Sequence, residues 1–270
     1  MSTRVKVRRD YAEGRFGQIH YRIARPAQES TKPPLLCFHM SPNSGRIYNT
    51  FIGAMGADRL ALAPDTPGFG DSDPPPKAPG IEDYAATMGD LMDALRLRQV
   101  DVMGYHTGSE TCVALALARP NQVRKLILTS APIFTPEELT EHRNRYAHEP
   151  LSEDGSHLVK KWKGHMFWRG PGKTREMLAV EFNDSIRNPM ISWWGHNAAF
   201  NYDMAGQMPK VTQPMLVLNP DDDLYTHTLR AEGKMQRGRI LHLKGWGHGY
   251  LDVHTDDAAK IVRDFLDREV

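Results

Sequence analysis

The chain has 270 residues, 40% of them hydrophobic and 25% charged, with a formal net charge of +1. That length suits one domain, or one domain carrying an insertion, and the balanced charge gives no pull toward nucleic acid or a membrane surface. The opening residues MSTRVKVRRDYAEG lack the apolar stretch of a secretory signal, and no run nears the roughly 18 apolar residues of a spanning helix.

Cys37 and Cys112 each sit inside an apolar run and are expected to be reduced core residues, in a soluble, cytoplasmic protein. GQIHYRIA (17–24) alternates in and out, as a half-exposed edge hairpin does. PLLCFHM (34–40), RLALAPD (59–65), VDVMGY (100–105), VRKLILTSAP (123–132), PMLVLN (214–219) and RILHLKG (239–245) are compact enough for central strands. Between them, Ile81, Tyr84, Met88, Leu91, Met92 and Leu95 share one helical face, as do Ala258, Ile261, Val262, Phe265 and Leu266 at the end. Residues 107–119 are apolar nearly all round, which predicts a helix buried against the sheet. Strands alternating with helices predict an α/β fold with a mostly parallel sheet and helices on both faces.

Residues 136–210 break the alternation. They hold no convincing strand, but helical patterns and Trp162, Phe167, Trp168, Trp193, Trp194 and Phe200. A helical cap inserted into a core made of 1–135 and 211–270 follows, its aromatics forming either its own core or the lining of an apolar pocket. The run KKWKGHMFWRGPGKTR (160–175) has no acid and reads as a solvated cap surface or as a basic rim attracting a carboxylate-bearing substrate.

Three stretches carry chemistry. In DVMGYHTGSETCVALALA (101–118) a strand meets Gly104-Tyr105-His106-Thr107-Gly108 and then a helix. Glycines two before and two after the tip permit a sharp turn that raises the tip side chain above the strand ends, at a helix N-terminus. PMLVLNPDDDLYTH places aspartates 221–223 directly after a strand, and GWGHGYLD places His248 in a glycine-flanked loop before the last helix. In a parallel sheet such loops share one edge, so His106, one of the aspartates and His248 are expected to converge.

Together these motifs resemble the α/β-hydrolase fold family over almost the whole chain. PLLCFHMSP resembles the family's strand ending in His-Gly-x-Pro, LALAPDTPGFGDSD its Pro-Asp-x-x-Gly-x-Gly-x-Ser loop, and 101–108 its nucleophile elbow. Carried over residue by residue, the resemblance implies His248 as the triad histidine, Asp223 as its acid, and the backbone N–H groups of Met40 and Thr107 as an oxyanion hole. His39, Ser41, Tyr105, Trp168 and Trp194 are further candidates for substrate contact. Two positions depart: Met40 replaces a glycine, and His106 stands where the family displays serine.

An imidazole at the tip leaves three readings. It attacks a carbonyl itself and forms a labile acyl-imidazole. Alternatively, it works with His248 as acid/base machinery on water or a substrate proton, which suits ester, lactone or carbon–carbon bond hydrolysis and also a cofactor-independent lyase or decarboxylating enzyme. In the third reading the site only binds a ligand. Ser41, Ser44 and Ser109 have no base placed for them and read as structural, and Glu110 is explained by the negative charge a helix N-terminus favours. No organic cofactor is expected, because the turns lack G-x-G-x-x-G and P-loop patterns. A two-histidine, one-carboxylate metal site from His106, His248 and Asp223 is a minor alternative; no metal is expected, because the family geometry aims the carboxylate at the histidine ring. The partner expected is a small molecule, and oligomeric state has no signal in the sequence.

Overall fold

The short apolar runs, each too short for a helix, pair into one sheet in a computed structural model that describes residues 4–268. The strands are β1 (Arg8–Gly14), β2 (Gly17–Ala24), β3 (Leu35–Phe38), β4 (Ala61–Pro64), β5 (Val100–Tyr105), β6 (Val123–Thr129), β7 (Met215–Pro220) and β8 (Gly238–Leu243), ordered β1-β2-β4-β3-β5-β6-β7-β8. β1 and β2 pair antiparallel, β2 meets β4 antiparallel, and every later pairing is parallel. β3, β4, β5 and β7 are buried along their whole length, which is why they read as unbroken apolar runs.

Two expectations change. The true edge beside β2 is β1, whose sequence RRDYAEG is too charged to announce a strand. RILHLKG forms β8 at the opposite edge and is not central; its exposed Arg239 and His242 face water. A strand paired on one side only tolerates such residues.

Helices α1 (Asn49–Met55), α2 (Ile81–Ala94) and α3 (Thr107–Ala118) follow β3, β4 and β5. α2 buries Ile81, Tyr84, Met88, Leu91 and Met92, and α3 buries every residue from Thr107 to Ala116. Between β6 and β7 lie α4 (Pro136–Arg145), α5 (Ser156–Phe167), α6 (Arg175–Ser185), α7 (Trp194–Phe200) and α8 (Met204–Gln207), with no strand among them. α9 (Tyr225–Leu229), α10 (Tyr250–Val253) and α11 (Thr255–Leu266) complete the chain. α2 and α3 cover one face of the sheet, and α1 and α11 the other. Arg124 on β6 pairs bidentately with the fully buried Asp101 of β5 at 2.9 and 2.6 Å, while its Nη2 also donates to Leu266 O at the end of α11. That cation serves a buried carboxylate and a helix C-terminus together.

The helical segment between β6 and β7 rests on loops leaving the strand ends. Ser44 donates to Asp184 at 2.6 Å, Asn188 donates to Gly68 O at 2.7 Å, and Arg187 pairs with Asp71. These contacts hold it over the edge where the β3 and β4 loops emerge.

Candidate active site

The turn after β5 is built by close backbone passage. A Cβ on Gly104 would collide with the backbone of Gly108, and one on Gly108 with the carbonyl of Phe38 at the end of β3. His106, between them, adopts φ 48° and ψ −114°, a conformation costly for any residue with a side chain. It is held there by its N–H donating to Thr129 O at 3.0 Å and its carbonyl accepting from Ser109 N at 2.7 Å. Ser109 is structural: its hydroxyl reaches Gly104 O and Thr129 O at 3.1 and 2.9 Å.

Three consecutive aspartates after β7 take three directions. Asp221 accepts from Gly245 N at 2.6 Å and fastens the loop that carries His248. Asp222, whose side chain is 0% exposed, accepts from Ser130 Oγ at 2.5 Å and from Leu224 N at 2.9 Å, and lies 3.3 Å from His106 Nε2. Asp223 lies 2.8 Å from His248 Nε2 and 3.7 Å from His106 Nε2. The two imidazoles stand edge to face with centroids 5.3 Å apart, and Tyr105 OH sits 3.4 Å from both His248 Nδ1 and Asp222 Oδ2.

The charges reinforce one another. Burial alone would raise the carboxyl of Asp222, but its hydrogen bond and proximity to His106 hold it below the usual range. Burial works the same way on Asp223, where the charge of His106 and the bond to His248 win and hold it low. Burial would depress His248, yet the bond to Asp223 and the neighbouring carboxylates raise it. Above them, His196 of α7 stacks on Tyr146 at 4.5 Å; burial, with the charges of His106 and Lys161, pushes it down to about 4, so it stays neutral.

The structure thus brings His106, Asp223 and His248 together and adds Asp222 and Ser130, which the sequence reading passed over. Ser130 carries only a positional signal, directly after β6; the structure gives it a φ of 56°. Asp222 had none of its own among three identical neighbours. Met40 follows β3 and Thr107 opens α3, two segments that touch at Phe38 and Gly108.

The candidate substrate contacts divide. His39 is a correction: it is buried, its Nε2 accepts from Thr66 N at 2.9 Å, and its Nδ1 meets Met40 O at 3.0 Å. With both ring nitrogens occupied, it shapes the Met40 loop and has nothing left for a ligand. Tyr105 is also buried, and its hydroxyl faces His248 and Asp222 from behind. Ser41 packs on Gly195 beside the partly exposed Trp194. Trp168, 44% exposed, lies 6.5 Å from the His248 ring. Glu110 departs from its expected role as a charged helix-start residue. It is fully buried with neither oxygen partnered, and burial drives its carboxyl well up, toward the neutral form.

A family model described as alpha/beta hydrolase fold matches residues 33–154. Over 265 residues the chain is 26% identical to a poly(3-hydroxyalkanoate) depolymerase of Ectopseudomonas oleovorans, covering 91% of this chain and 89% of that one. A haloalkane dehalogenase 2 of Mycobacterium tuberculosis is 33% identical over 113 residues, 42% of this chain and 38% of the relative. Among solved structures, the enol-lactonase from Burkholderia xenovorans LB400 superposes with a TM-score of 0.80 at 19% identity, covering 96% of this chain and all of that one.

Proposed function

We propose, from the premise that the chain has the α/β-hydrolase fold, that it is a hydrolase of a small, partly apolar carbonyl compound: an ester, a lactone or a carbon–carbon bond flanked by carbonyls. His106, His248 and Asp223 form its acid/base machinery, with Asp222 holding His106. The observation that carries this reading is the placement of two imidazoles 5.3 Å apart over two carboxylates at the elbow tip. The names of the relatives, a depolymerase of a polyester and an enol-lactonase, support carbonyl–oxygen cleavage.

In this reading water is the nucleophile. A water between the rings gives a proton to one imidazole as its oxygen adds to the carbonyl carbon, and the backbone N–H groups of Met40 and Thr107 take the developing oxyanion charge. Collapse of the tetrahedral species returns that proton to the leaving alkoxide or carbanion, so no acyl-enzyme forms. Residues 136–210 act as the cap on a core of 1–135 and 211–270. Their bonds to the loops around Ser44 and Gly68, and the nearness of Trp168 to His248, support that role. Such an enzyme works on a small molecule in the cytoplasm, without nucleic-acid or membrane partners. No described helix is long and apolar enough to cross a membrane.

The test is a product-identified screen of esters, lactones and diketones with wild type, His106→Ala and His248→Ala. Turnover that yields an acid and an alcohol, or two carbonyl fragments, and collapses in both variants is expected. Release of carbon dioxide or an unsaturated product, with no water incorporated, would move the chain to the lyase class. Unchanged turnover in either variant would refute its assigned role.

A further inference from the structure

We infer that His106, Asp222, Asp223 and His248 together form a binding site for one divalent first-row transition-metal ion of the zinc kind. The sequence gives no expectation of one, because the resemblance aims the carboxylate of Asp223 at the His248 ring; the tertiary structure adds Asp222, facing His106.

Distances carry the inference first. One ligand atom from each of the four residues lies within 4.8 Å of all the others. Zinc holds nitrogen and oxygen at about 2.0–2.2 Å, so two ligands on one tetrahedral ion stand roughly 3.2–3.6 Å apart. The separations here, 2.8 Å for His248–Asp223, 3.3 Å for His106–Asp222 and 3.7 Å for His106–Asp223, bracket that span. Two imidazoles with two carboxylates are a donor set suited to zinc, cobalt or manganese, whereas magnesium and calcium prefer oxygen alone. A serine at the elbow tip would offer a short hydroxyl; the longer imidazole reaches the carboxylates.

Charge points the same way. Among the described residues no lysine or arginine pairs with Asp222 or Asp223; their charge partners are His106 and His248 alone. Two carboxylates side by side in a largely buried pocket are unfavourable unless cations meet them. A divalent ion neutralises the set in one step. An outer layer is in place as well. Ser130 Oγ and Leu224 N hold the oxygens of Asp222, and Tyr105 OH stands 3.4 Å from His248 Nδ1, where a metal-bound imidazole seeks an acceptor.

Among the described residues, the other close group of this kind shows the contrast. In His20, Asp65 and Asp71 a cation is already in place, because Arg187 pairs with Asp71.

The inference rests on the hydrolase reading only for what the ion does, since in its presence the making of a nucleophilic water passes from the imidazoles to the metal. Binding itself is tested apart from activity. Untagged full-length protein, purified without chelator, is assayed for metal content, then stripped and titrated calorimetrically with Zn2+, Co2+ and Mn2+, the Co2+ form being read by its d–d absorption. About one ion per chain is expected, with at least tenfold weaker binding in His106→Ala and in Asp222→Asn, each checked for native circular dichroism. Failure of folded wild type to bind any of the three stoichiometrically overturns the inference, as does equal affinity in both folded variants. If the ion-free protein hydrolyses its substrate and binds no metal, the metal site falls and the acid/base reading stands. If one ion binds at this site and neither form hydrolyses anything in the screen, the site stands and the hydrolase reading falls.

Discussion

Glu110 offers a stability experiment whose sign and size follow from burial. Its carboxyl lies in the first turn of α3, fully buried, with neither oxygen hydrogen-bonded. Burial, helped by the negative charge of Glu82, raises its carboxyl well above the ordinary value. The folded protein therefore keeps a proton that the unfolded chain releases near pH 4.3. For an acid raised in this way, the stabilising contribution is complete below the unfolded value and is lost as pH climbs toward the folded one. The loss cannot exceed about 1.4 kcal/mol per pH unit, so between pH 5 and pH 7 at most about 2.7 kcal/mol of folding free energy disappears through this group. In a chain of this size that corresponds to roughly 5 °C in Tm. Glu110→Gln keeps the shape of the protonated acid and removes the titration, while the other groups contribute equally to both proteins. Thermal unfolding of the pair at pH 5, 6 and 7 should show the variant gaining on wild type as pH rises, by up to roughly 5 °C across the range. A Tm difference that stays flat from pH 5 to pH 7 would refute the reasoning, because Glu110 would then bind the same number of protons folded and unfolded.

Three further outcomes are expected. His106→Ser should lower the rate on the true substrate by on the order of 10²–10⁴-fold, even if weak activity on generic chromogenic esters appears, and a variant that matches wild type on that substrate would show His106 to be a damaged nucleophile. Arg124→Met leaves the buried Asp101 without its bidentate partner; a loss of about 3 kcal/mol in urea unfolding is expected, largely recovered when Asp101→Asn is added, and additive single and double variants would count against the pairing. Gly108→Ala drives a Cβ into the Phe38 carbonyl; a fall of about 1–3 kcal/mol in stability together with reduced turnover is expected, and wild-type stability would mean the elbow relaxes without strain.

The sequence by itself determined what depends on near neighbours. Fully buried parallel strands must be apolar throughout, and so the runs at β3, β4, β5 and β7 announced themselves. One-sided helices must repeat at the helical period, which placed α2 and α11. The elbow was legible because its glycines answer a local crowding of backbone on backbone, between Gly104 and Gly108. The tertiary structure alone decided which way each side chain at the strand ends faces. Asp221, Asp222 and Asp223 are chemically identical and consecutive, yet one fastens the Gly245 loop, one meets His106 across 116 positions, and one meets His248 across 25. His39 looked like a ligand-facing residue until Thr66 and Met40 were found on its two nitrogens. β8 read as central because its apolar content was visible and its neighbours were not. Periodicity records how one segment meets a layer, whereas the direction of a polar side chain at a loop is set by partners that folding brings from elsewhere in the chain.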